Sequence, residues 1–229
     1  MRIGVLGTGM VGKAIATRLV EVGHEVRLGS RTSDNESLLQ WVEENGEAAS
    51  GGTFADAAAF GSVVVNATRG IISLDVLEAA GDENLDGKII MDVANPLVIT
   101  SEVEPPSLGI LNDDSLGERI QRRFPSARVV KTLNTMNCDI MVNPKLLSGH
   151  HNVFLSGDDQ LAKDEVAALL GQFGWGEDTI FDLGDITTAR GPEMFVALYS
   201  RMFLKIRHLH FNISVVWDPN VEPLLPEGV

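Results

Sequence analysis

Residues 2–12 read RIGVLGTGMVG, and their pattern predicts how the protein begins to fold. Residues 2–6 are a short, mostly apolar run, which is typical of a strand buried on both faces. The glycines at 7, 9 and 12 follow at once, and apolar residues then recur at helical spacing up to Val22. A second strand, HEVRL, begins at His24, so strand, helix and strand fit within about 28 residues, close to the smallest βαβ unit.

The alternation of strands and helices continues along the chain. The pattern predicts a Rossmann-like, doubly wound, mainly parallel sheet, with a small C-terminal helical and strand extension. Ser73 is the predicted N-cap of one helix, and Pro192 is the predicted N1 residue of the last one. The predicted strands cover 62–67, 88–93, 128–133, 152–156 and 179–183, and the predicted helices cover 74–80, 115–124 and 161–173.

Three further features complete this organisation. A soft boundary near residue 150 divides a dinucleotide-binding domain, 1–150, from a smaller part, 151–229, that extends the sheet and carries a helix for a dimer or a substrate. The stretch 97–114 has no clear period and is predicted to be a long loop that covers a site or docks a partner. The prolines at 219, 223 and 226 predict an extended tail.

Composition excludes several classes of protein. The 229 residues carry 18 Lys plus Arg against 32 Asp plus Glu, a net charge of −14, which disfavours binding to nucleic acid. No apolar run reaches the roughly 18 to 20 residues that span a bilayer, so no membrane is expected. Cys138 is the one cysteine, which fits a reducing cytoplasm, and we expect a cytoplasmic protein.

The glycine turn predicts a phosphate site. Gly7 permits the tight bend, Gly9 lets the backbone approach a pyrophosphate, and Gly12 lets the helix pack on the strand. Backbone N–H groups and the helix dipole then face the phosphates, and the turn also brings Thr8, Met10 and Val11 to the site. The alternative is a purely structural turn.

The end of the second strand predicts which dinucleotide binds. An NAD-preferring site has an Asp or Glu about 20 residues after the glycines, whereas this chain has Ser30, Arg31 and Thr32. A guanidinium with nearby hydroxyls suits a 2′-phosphate, so NADP(H) is favoured over NAD. In the alternative interpretation Arg31 is a solvated turn residue.

At these residues the chain resembles a known family. Its opening 19 residues and GHEVRLGSR resemble the NADP oxidoreductases that use the deazaflavin coenzyme F-420. They resemble more distantly the pyrroline-carboxylate reductases and the nucleotide domain of membrane ferric reductases. VVNATRGI, MDVANPL, RVVKTLNTMNCDIMVNP, FLSGDD and DITTARGPEMF extend the resemblance over nearly the whole chain.

The resemblance implies direct hydride transfer between the nicotinamide and a stacked planar acceptor: F-420, a flavin or a similar ring. The resemblance implies that residues after two of the strands line the dinucleotide. It also implies that residues after a third strand flank the nicotinamide. The first are Ala67, Thr68, Arg69, Ala94, Asn95 and Pro96, and the second are Asn134, Thr135 and Met136. The chain departs from archaeal members at Asn134, where they have a His. For Thr68 and Asn95 the alternative is a cap or turn residue.

No catalytic dyad is assigned, because the family's redox chemistry belongs to the cofactors. Cys138 is interpreted as a small apolar filler rather than a reactive thiol. Lys131 either reaches the cleft or faces away from it, and Arg190 binds either an anion or the carbonyls of a helix end. The histidine pairs at 150–151 and at 208 and 210 favour packed or surface roles over a metal site.

Two functions therefore compete. One is an NADP(H)-dependent oxidoreductase, a homodimer built through the C-terminal helical segment with its apolar stripe between Phe195 and Ile206. The other is a redox sensor that binds NADP(H) without turnover. The stripe itself is typical of core or dimer packing rather than of a cofactor site.

Overall fold

The computed structural model describes residues 1–101, 105–218 and 220–222. Ten strands occur in these ranges, eight in one sheet and two in a small hairpin. They are β1 (Arg2–Leu6), β2 (Glu25–Ser30), β3 (Ala49–Thr53), β4 (Val63–Asn66), β5 (Ile89–Asp92), β6 (Leu97–Val98), β7 (Ser107–Leu108), β8 (Arg128–Thr132), β9 (Val153–Ser156) and β10 (Ile180–Asp182).

Nine α-helices pack around the sheet in the same ranges. They are α1 (Met10–Glu21), α2 (Glu36–Asn45), α3 (Phe54–Phe60), α4 (Ser73–Ala80), α5 (Asp82–Leu85), α6 (Leu116–Arg123), α7 (Cys138–Val142), α8 (Gln160–Phe173) and α9 (Arg190–Ile206). None of the helices in the described ranges is both long and apolar enough to cross a bilayer.

The strand order of the sheet is β10-β9-β8-β5-β4-β1-β2-β3. All neighbouring pairs are parallel except β8 and β9, which are antiparallel. The chain builds outward from β1 in one direction to β3 and then in the other direction through β4 and β5. The strand order thus reverses between β1 and β4, and ligands of such sheets bind at the carboxyl ends of the strands beside this point. The predicted mainly parallel, doubly wound sheet is confirmed.

Two apolar layers sandwich the sheet. Val63 and Val65 of β4 face the layer that holds α1, α7 and α8, whereas Val64 faces the layer of α3, α4 and α6. Every residue of β4 is buried, as expected for a parallel strand covered on both sides. The two layers hold the carboxyl ends of β1, β4, β5 and β8 in one row, which positions the site described below.

Several elements differ from the sequence predictions. The structure has α2, β3 and α3 between residues 34 and 61, where the sequence pattern predicted no element. The strand β3 was missed because its sequence, ASGGT, lacks the β-branched run that marks a strand. Ser73 is the first residue of α4 rather than its N-cap, a position that Ile72 holds without a side-chain hydrogen bond. Pro192 is the third residue of α9, which begins at Arg190. The loop after residue 96 contains the β6–β7 hairpin. The predicted tail prolines at 219, 223 and 226 lie outside the described residues.

Candidate functional site

The glycine turn joins β1 to α1 at the strand-order reversal. Gly7 has a φ of +115°, a left-handed conformation that favours glycine, and its N–H donates to the carbonyl of Gly29 at 3.0 Å. Gly9 is the N-cap of α1, and no side chain caps this helix. The first N–H groups of α1 therefore lack a partner from their own helix or from a capping side chain, which is the arrangement that binds an anion.

A cavity of about 740 Å³ opens beside this turn. Its walls come from the turn, the tip of β2, the start of α3, the loop after β4 and one face of α4. The lining residues are Gly7, Thr8, Gly9, Ser30, Arg31, Asn35, Thr53, Phe54, Ala55, Ala67, Thr68, Arg69, Ile72, Asp75, Val76 and Ala79. We call it the first compartment.

A second cavity, of about 370 Å³, continues on the other side of the loop after β4. The two cavities share Ala67, Thr68 and Arg69, so they are neighbouring compartments of one cleft. The second compartment is lined by Met10, Val11, Ala67, Thr68, Arg69, Val93, Ala94, Asn95, Leu97, Ile99, Asn134, Thr135, Met136, Asn137, Cys138, Met141, Val196, Tyr199 and Leu209.

The tip of β2 carries a cation without a protein partner. Arg31 is exposed, and no hydrogen bond or ion pair of its guanidinium is found within the described residues. Ser30 is buried and donates its hydroxyl hydrogen bond to the carbonyl of Thr32. Both Ser30 and Arg31 line the first compartment, whereas Thr32 lies outside both linings.

Two loops of the second compartment are joined by an amide pair. Nδ2 of Asn95 donates to the backbone carbonyl of Asn134 at 2.7 Å, and Nδ2 of Asn134 donates to Oδ1 of Asn95 at 2.9 Å. The preceding residue, Leu133, is buried with a φ of +61°, a strained conformation for a side chain of this size. The amide pair thus fixes the loops that follow β5 and β8 relative to each other.

A buried polar row lies beneath the cleft. Asn66, Asp92 and Lys131 occupy one register across β4, β5 and β8. Asn66 Nδ2 donates to Asp92 Oδ1 at 2.8 Å, and Lys131 Nζ lies 2.8 Å from both Asp92 Oδ2 and Glu193 Oε1. Lys131 also donates to the carbonyl of Ala94. The sequence left the direction of Lys131 open, and the structure shows it facing this row rather than the cleft.

The buried row contains charged side chains, and Asn66 links the row to the cleft wall. Burial by itself lowers the pKa of Lys131, but Asp92 and Glu193 outweigh it, so this pKa lies above its ordinary value and the ammonium stays charged. Thr68 Oγ1 donates to Asn66 Oδ1 at 2.7 Å. The Thr68 N–H also donates to Asn66 Oδ1, at 3.4 Å, so Thr68 is a turn residue held by a buried side chain. Its contact with a cofactor stays a prediction.

Arg190 does not reach the cleft. Its guanidinium makes two hydrogen bonds to the Glu118 carboxylate, at 2.9 and 2.6 Å, at the start of α6. The partner is a side chain, so neither of the roles predicted from sequence, an anionic ligand or helix carbonyls, is seen. Glu193 supports the same helix end by accepting from the N–H groups of Leu116 and Gly117.

The second compartment holds two ionisable groups that are uncharged at neutral pH. Burial, and next the nearby Asp139, raise the pKa of the Cys138 thiol. Burial likewise raises the pKa of Tyr199 to about 12. Cys138 lines the compartment as a neutral group, so a nucleophilic role gains no support.

The histidine pairs occupy structural positions. His151 donates from Nε2 to the carbonyl of Pro144 and accepts at Nδ1 from Nδ2 of Asn212, and His210 lies 2.9 Å from Asp139. His150 lies against Ser214. Within the described ranges, no three His, Cys, Asp or Glu side chains converge as a metal site would require.

Most of the predicted site residues meet in the cleft. Three do not line it: Gly12, which is buried behind the turn, Thr32 and Pro96. Sequence reasoning missed Val196 and the walls from α3 and α4, and it assigned the apolar stripe that contains Tyr199 to packing. The sequence did contain a signal for the helices that begin after Asn35 and Thr53, because both residues are good N-caps that precede an apolar helical pattern.

The residues fit a dinucleotide. A Cβ placed on Gly9 would meet nothing within 4 Å, so open space lies where a phosphate approaches this backbone. The uncapped N-terminus of α1 and the unpartnered Arg31 supply donors for two separate phosphate groups. The cleft also continues beyond the turn, into the apolar second compartment.

Comparisons with known proteins point to one family. Residues 2–96 match the family model described as NADP oxidoreductase, coenzyme F-420-dependent. A crystal structure from Arthrobacter sp. FB24, provisionally described as an F-420-dependent NADP-reductase, is 47% identical with a TM-score of 0.88, over 95% of this chain and 100% of that one.

A curated protein and a further solved structure match at lower identity. Metalloreductase STEAP3 of Rattus norvegicus is 28% identical over 197 residues, which is 84% of this chain and 36% of that protein, so the chain spans about a third of this relative. An imine reductase from Aspergillus terreus shares the fold, with 19% identity and a TM-score of 0.63 over 90% of this chain and 62% of the other. On its match to the Arthrobacter protein and to the family model, the chain belongs to the coenzyme F-420-dependent NADP oxidoreductase family.

Proposed function

We propose that this NADP-dependent oxidoreductase transfers a hydride between NADP(H), bound across the two compartments, and a planar acceptor such as F-420 or a flavin. The observation that carries the proposal is the shared wall, Ala67 to Arg69. It makes the phosphate site and the apolar compartment one continuous cleft. An extended dinucleotide fits such a cleft with its adenosine half in the first compartment and its reactive ring in the second.

The glycine turn and the tip of β2 support the choice of NADP(H). The proposal puts the pyrophosphate at the uncapped first turn of α1 and the 2′ end of the adenosine ribose at Arg31, which lines the first compartment. The described residues that line the cavity at this tip are Ser30, Arg31 and Asn35, and none of these three has a carboxylate to accept a ribose 2′-hydroxyl. A guanidinium favours a 2′-phosphate at the same position.

The chemistry asks little of the protein beyond alignment. The bound nicotinamide supplies the hydride, and no proton donor is needed at the transferred atom. The Asn95–Asn134 pair and the strained Leu133 fix the loops around the reacting ring. The apolar wall formed by Val196 and Leu209 excludes water from the second compartment.

A homodimer formed through α9 is part of the proposal. Leu198 and Leu204 on this helix are 55% and 49% exposed, and Phe203 is 38% exposed. A helix that is apolar around much of its circumference is normally covered. Light scattering after size exclusion tests the dimer, because Leu198→Glu with Leu204→Glu should give a monomer.

We also propose that the protein works in a reducing cytoplasm, because the single cysteine, Cys138, is buried and unpaired.

Binding and turnover together test the function. Calorimetry with NADPH and NADH measures the cofactor, and NADPH oxidation with F-420, FMN, FAD, quinones and ferric chelates measures the acceptor. We expect tight NADPH binding and reduction of a deazaflavin or flavin. If NADPH binds tightly and no acceptor is reduced, the redox-sensor function is favoured over the enzyme. If neither dinucleotide binds, both proposed functions are wrong.

A further inference from the structure

The side chain of Arg69 stands at the junction of the two compartments. Its backbone is held in place, because the carbonyl of Arg69 accepts from Ile72 N–H at 2.9 Å and the next N–H, of Gly70, donates to the carbonyl of Asn95 at 3.1 Å. The guanidinium is exposed, and within the described part of the chain it has no hydrogen bond or ion pair of its own. The backbone at Arg69 is therefore fixed, while its cationic side chain has no partner in the described residues.

Arg69 also differs in charge from the rest of the second compartment. The other lining residues in the described ranges are apolar or carry amide, hydroxyl or thiol groups. The raised pKa values of Cys138 and Tyr199 keep both of those groups neutral. Arg69 is thus the one charged side chain among these lining residues at neutral pH. In a chain of net charge −14, an isolated cation at a cleft mouth favours an anionic ligand.

The chemistry of the remaining walls favours an uncharged aromatic ring. Met10, Ile99, Val196 and Leu209 supply apolar surface. Tyr199 lines the same space and stacks on Phe211, with ring centroids 4.5 Å apart and planes tilted by 22°. A planar ligand placed against Tyr199 would extend an existing aromatic stack.

We propose that the hydride acceptor is a planar ring with an anionic substituent, and that Arg69 determines specificity by binding this substituent while the ring lies against Tyr199. The proposal rests on the oxidoreductase function proposed above and adds a recognition residue to it. The pyrophosphate of the dinucleotide already has donors in the first turn of α1, so Arg69 is free for the second substrate. Two oxygens of a phosphate or a carboxylate can accept the parallel N–H bonds of the guanidinium fork.

Matched acceptors with and without the charge test the assignment. FMN and riboflavin share one ring and differ by a phosphate, and F-420 can be paired in the same way with its phosphate-free deazariboflavin. Steady-state kinetics with NADPH are measured for the wild type, Arg69→Gln and Arg69→Lys. We expect the wild type to prefer the phosphorylated member, and Arg69→Gln to raise the KM for that member roughly tenfold, the scale of one charge-assisted hydrogen bond. The KM for the uncharged member should stay unchanged, and Arg69→Lys should restore part of the preference.

Arg31→Gln serves as the crossed control. It should weaken NADPH relative to NADH and leave the ratio between FMN and riboflavin at the wild-type value. If Arg69→Gln weakens NADPH and not FMN, Arg69 binds the dinucleotide and the inference is wrong. Acceptors reduced by the wild type without any preference for the charged member also overturn it and leave the proposed function standing. A wild type that reduces no member of either pair removes the proposed acceptor class, and this inference with it.

Discussion

The carbonyl oxygen of Gly7 occupies the place where Gly12 would carry a side chain: a Cβ on Gly12 would lie 1.9 Å from it. The close contact is what brings α1 against the end of β1. Gly9, between them in sequence, has open space instead, with nothing within 4 Å of an added Cβ. The three glycines of one turn therefore serve two different purposes, packing and ligand approach.

The variants Gly9→Ala and Gly12→Ala separate these purposes. Gly12→Ala forces backbone atoms apart and should cost roughly 3 kcal/mol in the free energy of unfolding. Gly9 has a φ of −74°, which alanine adopts without strain, so Gly9→Ala should keep the wild-type stability but lower NADPH affinity at least about tenfold. Urea unfolding and calorimetry measure the two effects. Unchanged NADPH affinity in folded Gly9→Ala would contradict a phosphate at this turn.

Arg31 is expected to select the cofactor. Arg31→Ala should weaken NADPH relative to NADH by at least about 2 kcal/mol, because the 2′-phosphate loses a charge-assisted hydrogen bond and the 2′-hydroxyl does not. Ser30→Asp should act in the same direction by repulsion. Arg122→Ala, on the far surface of α6, is the matched control and should change neither affinity. Equal losses for both dinucleotides would remove the NADP assignment.

The sequence predicted the parts of the site that depend on neighbours in the chain. Strand, glycine turn and helix lie within residues 2–22, so the positions of Gly7, Gly9 and Arg31 followed from short-range pattern and the geometry of a parallel sheet. Thr68, Asn95 and Asn134 were expected at one edge from the family resemblance, and the position of each after a strand agreed with that expectation. Their direct contacts, such as that between the two amides, did not follow from it.

The parts that it missed depend on distant packing. Tyr199 reaches the cleft because α9 returns across the carboxyl edge of the sheet, and its apolar spacing is the same as that of a core helix. Lys131 was undecided because alternation along β8 gives no direction when the strand is buried on both faces. Its partner Glu193 is 62 positions further on, and only the fold brings them together.

The Asn95–Asn134 pair should stabilise the second compartment as one unit. We expect Asn95→Ala and Asn134→Ala each to lower the free energy of unfolding by about 1 to 2 kcal/mol. Each variant should also lower kcat, since the loops around the reacting ring lose their register. The double variant should cost less than the sum of the two, with a coupling of about 1 kcal/mol in a double-mutant cycle. Strict additivity would show that the two amides act independently.

Glu118 should contribute to stability in a pH-dependent way. The hydrogen bonds from Arg190, and also from Ser115, lower the pKa of Glu118 despite its burial. A carboxyl whose folded pKa is depressed stabilises the protein above its unfolded pKa, about 4.3, and loses this contribution as pH falls through the folded value. Urea unfolding between pH 6 and pH 3 should thus show a smaller decline for Glu118→Gln than for the wild type. The same decline in both proteins would exclude this role.

Lys131 is expected to be the most costly single charge to remove. Lys131→Met leaves Asp92 and Glu193 as buried carboxylates without a cation, and it should lower the free energy of unfolding by about 3 to 5 kcal/mol. Because the pKa of Lys131 is raised in the folded protein, its contribution is complete below the unfolded value of about 10.4 and is lost as pH rises through the folded value. The triple variant Lys131→Met, Asp92→Asn, Glu193→Gln removes all three charges and should recover part of the loss. If Lys131→Met fails to fold, recovery of a folded triple variant still measures the electrostatic origin of the defect, and a triple variant no more stable than Lys131→Met would show that lost packing, rather than uncompensated charge, is responsible.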